Sequence, residues 1–111
     1  MEIRRGDVWW VSFDPSVVGE IRKTRPAIVM SNNAANAVLN RVVVIPLTTQ
    51  TQKLYPGEAM VTLEGENRKA MTDQIMTASK QRLRGRIGAL SALDMKAVEA
   101  ALLLHLAIRR A

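Results

Sequence analysis

Two polar side chains, Arg25 and Thr48, each stand at the end of a strand-like apolar run. The guanidinium of Arg25 is always charged and presents a planar fork that can hold two phosphate oxygens, which suits a phosphorane-like transition state with growing negative charge. The hydroxyl of Thr48 can donate to a phosphate oxygen or position an attacking hydroxyl, although it accepts a proton poorly without a base. The alternatives are a solvated surface arginine and a strand-end threonine satisfied by the backbone.

Other polar residues could act beside this pair. Glu20, five residues before Arg25, could orient the arginine or accept a proton, although loop glutamates are usually only solvated. Gln74 could bind a base edge, since an amide both donates and accepts hydrogen bonds. Arg22 and Lys23 precede Arg25 in a segment without periodicity, 14–24, and would neutralise phosphates there.

Arg82, Arg84 and Arg86 alternate by two and would share one face of a strand. Such a row predicts either a track for backbone phosphates or a plain solvated basic face. The formal net charge of +6 favours a polyanionic partner, although charge alone is a weak signal.

The amino-acid composition excludes several kinds of catalytic site. The chain has no cysteine and one histidine, which excludes a thiolate nucleophile, a histidine acid–base pair and a zinc site with two histidines within one chain. The ten Asp and Glu residues are scattered, so we expect no catalytic metal ion and no cofactor. The sequence has no run of about 20 apolar residues and no signal-like start, so we expect a cytoplasmic protein without a membrane partner.

The elements that position these residues are short strands with close turns. A length of 111 residues indicates one domain, 1–111. Pro26 indicates where the second strand begins, and Pro46 an edge or strand-end position in the third. Ser91 followed by Asp94 predicts a cap for a final helix. Periodicity predicts strands at 7–13, 27–31, 42–45, 59–63, 69–72, 74–78 and 83–90, and a helical stripe of Met95, Val98, Leu102 and Leu106 that Leu103 and Leu104 broaden.

These patterns support a mainly β domain, such as a small barrel, with a C-terminal α-helix. Trp9 and Trp10 could stack on bases, but adjacent tryptophans on a strand more often fill a core or a dimer interface. His105 lies among leucines, which favours a structural role.

Four segments together resemble the MazF/PemK family of bacterial toxins, the ribosome-independent mRNA interferases. They are Arg5-Gly6-Asp7-Val8-Trp9-Trp10-Val11, Lys23-Thr24-Arg25-Pro26-Ala27-Ile28-Val29, Val44-Ile45-Pro46-Leu47-Thr48 and Asp73-Gln74-Ile75. The resemblance runs from about Arg4 to the C-terminal helix. It implies an SH3-like barrel with this helix packed across it, as in MazF, PemK and CcdB, and a homodimer.

The resemblance also implies roles for residues. In the resembling enzymes the arginine before the proline is catalytic, which corresponds to Arg25, and their Pro-x-Thr spacing selects Thr48 rather than Thr49. Glu20 has the separation from Arg25 that acidic members show. The family often reads Gly-Ser-Glu in this loop, whereas this chain has Val18-Gly19-Glu20.

The function that this implies is sequence-specific, metal-independent cleavage of single-stranded RNA, either mRNA or also rRNA or tRNA. The substrate's 2′-hydroxyl attacks the adjacent phosphodiester and leaves 2′,3′-cyclic phosphate and 5′-hydroxyl ends. A cognate antitoxin with a flexible acidic tail would cover the RNA groove. The alternatives are a CcdB-like, non-enzymatic DNA gyrase poison and a catalytically silent RNA-binding barrel.

Overall fold

The computed structural model describes residues 2–15, 19 and 23–109, and in these residues the chain is mainly β. The strands are β1 Asp7–Ser12, β2 Thr24–Val29, β3 Arg41–Thr48, β4 Ala59–Leu63, β5 Glu66–Ala70, β6 Met76–Ser79 and β7 Leu83–Ala89; the helices are α1 Asn33–Val38 and α2 Ala92–His105, and 3₁₀ turns cover Thr72–Gln74 and Lys80–Arg82. The predicted mainly β fold with a C-terminal helix is confirmed.

All the strand pairs are antiparallel, in the order β4-β5-β3-β2-β1-β7, and β6 also pairs with β3. One edge of β3 has two partners, since residues 41–44 pair with β6 whereas Leu47 and Thr48 pair with β5. Because of this exchange the sheet curls into a half-barrel.

Pro46 lies where β3 exchanges these partners, and not at an edge or strand end as predicted. Its carbonyl accepts a hydrogen bond from Met71 N at 3.0 Å, so its backbone faces the side of β3 on which β5 and β6 lie. The ladder on that side is interrupted between Val44 and Leu47, so the missing N–H of proline leaves no strand partner unsatisfied. The prediction was wrong because an interior gap in a ladder tolerates proline as an edge does.

Strand alternation divides the apolar residues between the two faces of the sheet. One cluster includes Val8, Ile28 and Ile45 and packs against α2, β4 and β5 through residues such as Val98 and Val61. A second cluster fills the curl and consists of Ile3, Trp9, Val11, Phe13, Ala27, Val29, Val42, Val44, Ala78 and Leu83. The two layers hold the ends of β2 and β3 between them.

The two tryptophans have different environments. Trp9 is 5% exposed and belongs to the cluster inside the curl, which agrees with a core role. Trp10 is 44% exposed, because the neighbouring positions on the adjacent strands hold Pro26 and Gly85.

The final helix begins as predicted, with the Ser91 hydroxyl accepting from Asp94 N at 3.1 Å. Its buried face consists of Met95, Val98 and Ala101, with Leu102 beside it. Leu104 and Leu106 are 63% and 47% exposed, so the predicted broad stripe is wrong at its C-terminal end. None of the helices in the described part of the chain is long and apolar enough to cross a membrane.

Candidate active site

The pairing register of β2 and β3 relates Arg25 to Thr48. In this register Ala27 faces Pro46, Ile28 faces Ile45 and Val29 faces Val44. Two residues further, beyond the last paired positions, the same register sets Arg25 opposite Thr48. Opposite residues of antiparallel strands project from the same face of the sheet, so the two predicted catalytic side chains share one face at one end of the half-barrel.

Arg25 lies inside β2, which begins at Thr24 rather than at the predicted residue 27. It is partly buried, and it pairs in register with Val11 of β1, which is fully buried in the cluster inside the curl. The two strands therefore fix the backbone on which the guanidinium stands.

Thr48 ends β3 and is 7% exposed, whereas the following Thr49 is exposed. The Thr48 hydroxyl oxygen accepts a hydrogen bond from Gln50 N at 3.2 Å. A hydroxyl carries one proton besides its acceptor lone pairs, so this bond leaves the proton for donation. Burial thus distinguishes Thr48, the residue that the resemblance selects, from Thr49.

The segment between β1 and β2 reaches the same end of the sheet. Lys23 N donates to an Asp14 carboxylate oxygen at 3.0 Å, and Phe13 N donates to Lys23 O at 2.8 Å. These bonds close the base of the segment beside Arg25 and leave the Lys23 side chain exposed. Glu20 and Arg22 lie outside the described residues.

Gln74 lies in the 3₁₀ turn Thr72–Gln74, so the strand predicted from residue 74 is wrong at its start. Its side-chain amide donates to Gly19 O at 3.3 Å, across 55 residues of sequence. This bond ties the turn to the 14–23 segment and brings Gln74 to the end of the sheet that holds Arg25.

The predicted shared strand face of the three arginines is wrong. Arg82 lies in a 3₁₀ turn and donates to Ser12 O at 3.0 Å and to Asp14 O at 2.8 Å. Arg84 donates to the nearby Gln81 O, and Arg86 Nε is 3.3 Å from a carboxylate oxygen of the buried Asp7. Two register shifts in the β1–β7 pairing also break the alternation that the prediction assumed.

A cavity of about 560 Å³ opens next to Thr48, and sequence reasoning missed the lysine in its wall. Its lining residues are Thr49, Gln50, Thr51, Gln52, Lys53, Tyr55 and Lys69. Lys69 of β5 faces Thr48 in the β3–β5 register and is 8% exposed. Only the pairing of β5 with β3 reveals this neighbour, since the two residues are 21 positions apart in the sequence.

Tyr55, Pro56, Gly57 and Glu58 form a turn at the end of the segment that lines this cavity. Glu58 N donates to Tyr55 O at 3.0 Å, and Gly57 has a φ of 86°, as the third residue of a type II turn requires. Among the described residues, no group of three or more His, Cys, Asp or Glu is placed to hold a metal ion.

Comparison with known proteins identifies the family. The family described as PemK-like, MazF-like toxin of type II toxin-antitoxin system matches residues 4–106. Endoribonuclease MazF9 of Mycobacterium tuberculosis is 34% identical over 113 residues, which cover 94% of this chain and 96% of that protein. Endoribonuclease EndoA of Bacillus subtilis is 32% identical over 113 residues, covering 97% of each.

Solved structures share the fold. The crystal structure of MazF from Deinococcus radiodurans superposes with a TM-score of 0.84 at 23% identity, covering 96% of this chain and 98% of that one. A mycobacterial endoribonuclease in complex with its cognate antitoxin gives 0.82 at 24% identity, covering 98% and 99%. With a match that spans nearly the whole half-barrel and α2, this chain belongs to the PemK-like, MazF-like toxin family of type II toxin-antitoxin systems.

Proposed function

We propose that this endoribonuclease toxin cuts single-stranded RNA at a short sequence without a metal ion, with Arg25 and Thr48 at the scissile phosphate. The endoribonuclease activity itself follows from the family and from relatives matched over nearly the whole chain. The observation that carries the assignment of the site is the β2–β3 register, which, extended by two residues, relates Arg25 to the buried Thr48 on one face of the sheet.

In the proposed reaction, the 2′-oxygen of the nucleotide before the cut forms a bond to phosphorus and loses its proton. The bond from phosphorus to the 5′-oxygen breaks, and that oxygen takes up a proton. The products carry a 2′,3′-cyclic phosphate and a 5′-hydroxyl. Arg25 stabilises the negative charge on the phosphorane oxygens, and Thr48 donates to one of them. Glu20 would accept the first proton or orient Arg25.

The remaining polar residues divide between binding and positioning. Gln74 would read a base edge beside the 14–23 segment, while Arg22, Lys23 and Arg84 would contact phosphates. Arg82 would act indirectly, since its two hydrogen bonds support the end of β1 and the start of that segment. We assign no phosphate to Arg86, because the Asp7 carboxylate offsets its charge.

The proposal includes partners. A mycobacterial endoribonuclease of this fold was solved with its cognate antitoxin, and the net charge of +6 favours an antitoxin with an acidic, flexible tail for this chain as well. We also propose that residues 1–111 act as one domain, that the toxin is a homodimer, and that it works in the cytoplasm on mRNA or on other single-stranded RNA.

A cleavage assay tests the proposal against its alternatives. The purified protein is incubated with a long single-stranded RNA, with and without excess EDTA. We expect the same fragments in both reactions, each with a 5′-hydroxyl end. Fragments that vanish with EDTA and return with magnesium contradict the metal-free mechanism. RNA binding without cleavage indicates a silent RNA-binding barrel, and inhibition of DNA gyrase without RNA cleavage indicates a CcdB-like poison.

A further inference from the structure

Within the part of the chain that the structure describes, the ammonium of Lys69 contacts the loop that lines the cavity beside Thr48. Its Nζ donates to Lys53 O at 3.0 Å, lies 3.3 Å from a Glu58 carboxylate oxygen, and lies over the Tyr55 ring at 5.5 Å from the centroid. The side chain is 10% exposed, so these contacts form in a setting where solvent screens them little. Lys69 therefore connects β5 to both ends of the segment 53–58.

Glu58 completes the connection. The carboxylate oxygen that faces Lys69 also accepts a hydrogen bond from Tyr55 N at 2.7 Å, and the Glu58 side chain is 13% exposed. Tyr55 is thus held at its backbone by Glu58 and at its ring by the Lys69 ammonium. A carboxylate this close offsets the lysine charge, so Lys69 is better suited to hold the loop than to attract a phosphate.

The described residues that line the cavity present the chemistry that reads an unpaired base. Two amides, Gln50 and Gln52, supply donors and acceptors, and Tyr55, 57% exposed, supplies an aromatic surface. A volume of about 560 Å³ is in the range of small-molecule pockets and suffices for one nucleotide. Thr48, which precedes the lining residue Thr49 and pairs in register with the lining residue Lys69, would face the scissile phosphate under the proposed function.

We propose that Lys69 and Glu58 are a positioning pair that holds Tyr55 and the 49–55 loop around one unpaired base next to the cut, and so sets the base preference at that position. The inference rests on the proposed function. Lys69 contacts neither the phosphate nor the 2′-hydroxyl, and it acts through Tyr55 and the loop. Loss of the pair therefore weakens binding and selectivity at one nucleotide, whereas the cleavage step itself stays intact.

The test compares cleavage profiles on an RNA library with randomised sequence, together with kcat and KM on one preferred RNA. Tyr55→Ala removes the stacking surface, and Lys69→Met removes the ammonium at similar length. Both variants are expected to lose selectivity at the same single position, to raise KM about tenfold, and to keep kcat within about twofold. Tyr55→Phe keeps the ring and should retain the profile.

Two further variants separate a folding defect from a loss of base selectivity. Lys69→Met leaves the Glu58 carboxylate partly buried and unpaired, so the double variant Lys69→Met/Glu58→Gln, which removes both charges, is measured beside it. Lys96→Met on the exposed face of α2 makes the same change in net charge away from the cavity, and its profile should match the wild type. A merely structural Lys69 would lower the melting temperature and the active fraction without changing the profile.

Several results would overturn the inference. An unchanged profile for Tyr55→Ala does so however the lysine variants fold, because Tyr55 is the proposed contact. A Lys69→Met enzyme whose kcat falls at constant KM would make Lys69 part of the chemistry. If wild-type protein cleaves no RNA, the proposed function itself has failed. If it cleaves and depends on Arg25 while these profiles stay equal, only the positioning pair is rejected.

Discussion

The two segments that flank Arg25 and Thr48 are held in different ways. In the 14–23 segment, Gly19 O accepts a hydrogen bond from Gln74 and Asp14 O accepts one from Arg82. Both donor side chains are partly exposed to water. The 49–58 loop is fastened from the protein interior, because buried Lys69 and buried Thr72 both bond to it. Breaking the contacts to Asp14 and Gly19 removes bonds that water can replace, whereas breaking those to the 49–58 loop leaves buried groups without partners.

The largest effect is expected at the pair between the two segments. Arg25→Lys keeps a positive charge but loses the planar fork, and Thr48→Val removes the hydroxyl at nearly constant shape. Each should slow single-turnover cleavage by about 100-fold to 1000-fold, or about 3 to 4 kcal/mol. Thr48→Ser, which keeps the donor, should retain more activity.

Affinity for the same RNA is measured beside the rate. If either variant cleaves at the wild-type rate, or loses activity only through unfolding or loss of binding, the catalytic assignment fails. A slower cleavage step at unchanged RNA affinity would show that Arg25 and Thr48 act in catalysis, whereas the two flanking segments act in binding.

A second prediction compares one glycine from each segment. Gly57 and Gly19 have φ values of 86° and 89°, but a Cβ on Gly57 would lie 3.4 Å from His105 Cβ, whereas one on Gly19 meets nothing within 4 Å. Both substitutions should cost about 1 to 2 kcal/mol because of the positive φ, and Gly57→Ala should cost more than Gly19→Ala because its Cβ also meets His105. Thermal melts should show a lower melting temperature for Gly57→Ala than for Gly19→Ala. Equal melting temperatures would remove the contrast between the two segments.

A third prediction concerns the rim contacts of the 14–23 segment. Arg82→Met removes the donors to Ser12 O and Asp14 O and should cost about 1 kcal/mol, with faster proteolysis inside the segment. Arg84→Met is the matched control, since among the described residues the Arg84 side chain bonds only to the nearby Gln81 O. If the protease cuts the 14–23 segment at equal rates in both variants, Arg82 does not stabilise that segment.

The smallest effects test whether RNA passes between the two segments. Lys23 lies at the base of one and Lys53 in the other, and both are exposed. If each meets a phosphate, Lys23→Met and Lys53→Met should each reduce the slope of log affinity against log salt by about 0.7. If the salt slope falls in only one variant, the RNA contacts only the segment that contains that lysine.

Local signals predicted much of the fold. The Ser91 cap and most of the short strands depend on neighbouring residues, and the structure contains them. The predicted pair of Arg25 and Thr48 came from spacing and resemblance. Its geometry required the β2–β3 register, which no local pattern contains.

Long-range pairing explains the errors. The arginine row failed because Arg82 lies in the 3₁₀ turn that precedes β7 and because register shifts against β1 break the alternation within β7. Neither feature shows in the spacing of Arg82 to Arg86. Pro46 was misplaced because β3 has two partners on one side, and Lys69 was missed because its neighbours come from other segments. Each of these errors concerns a contact with a distant segment of the chain, whereas the correct predictions concern local secondary structure.

The backbone at Pro26 has a consequence for access to the site. Met30 N bonds to Val43 O, so alternation along β2 turns the backbone of residue 26 towards β3 as well, and there proline has no N–H to offer. The backbone pairing between β2 and β3 therefore ends at Ala27 and Pro46, just before Arg25 and Thr48. With no N–H at residue 26, this position donates no backbone hydrogen bond across to β3 beside Arg25 and Thr48.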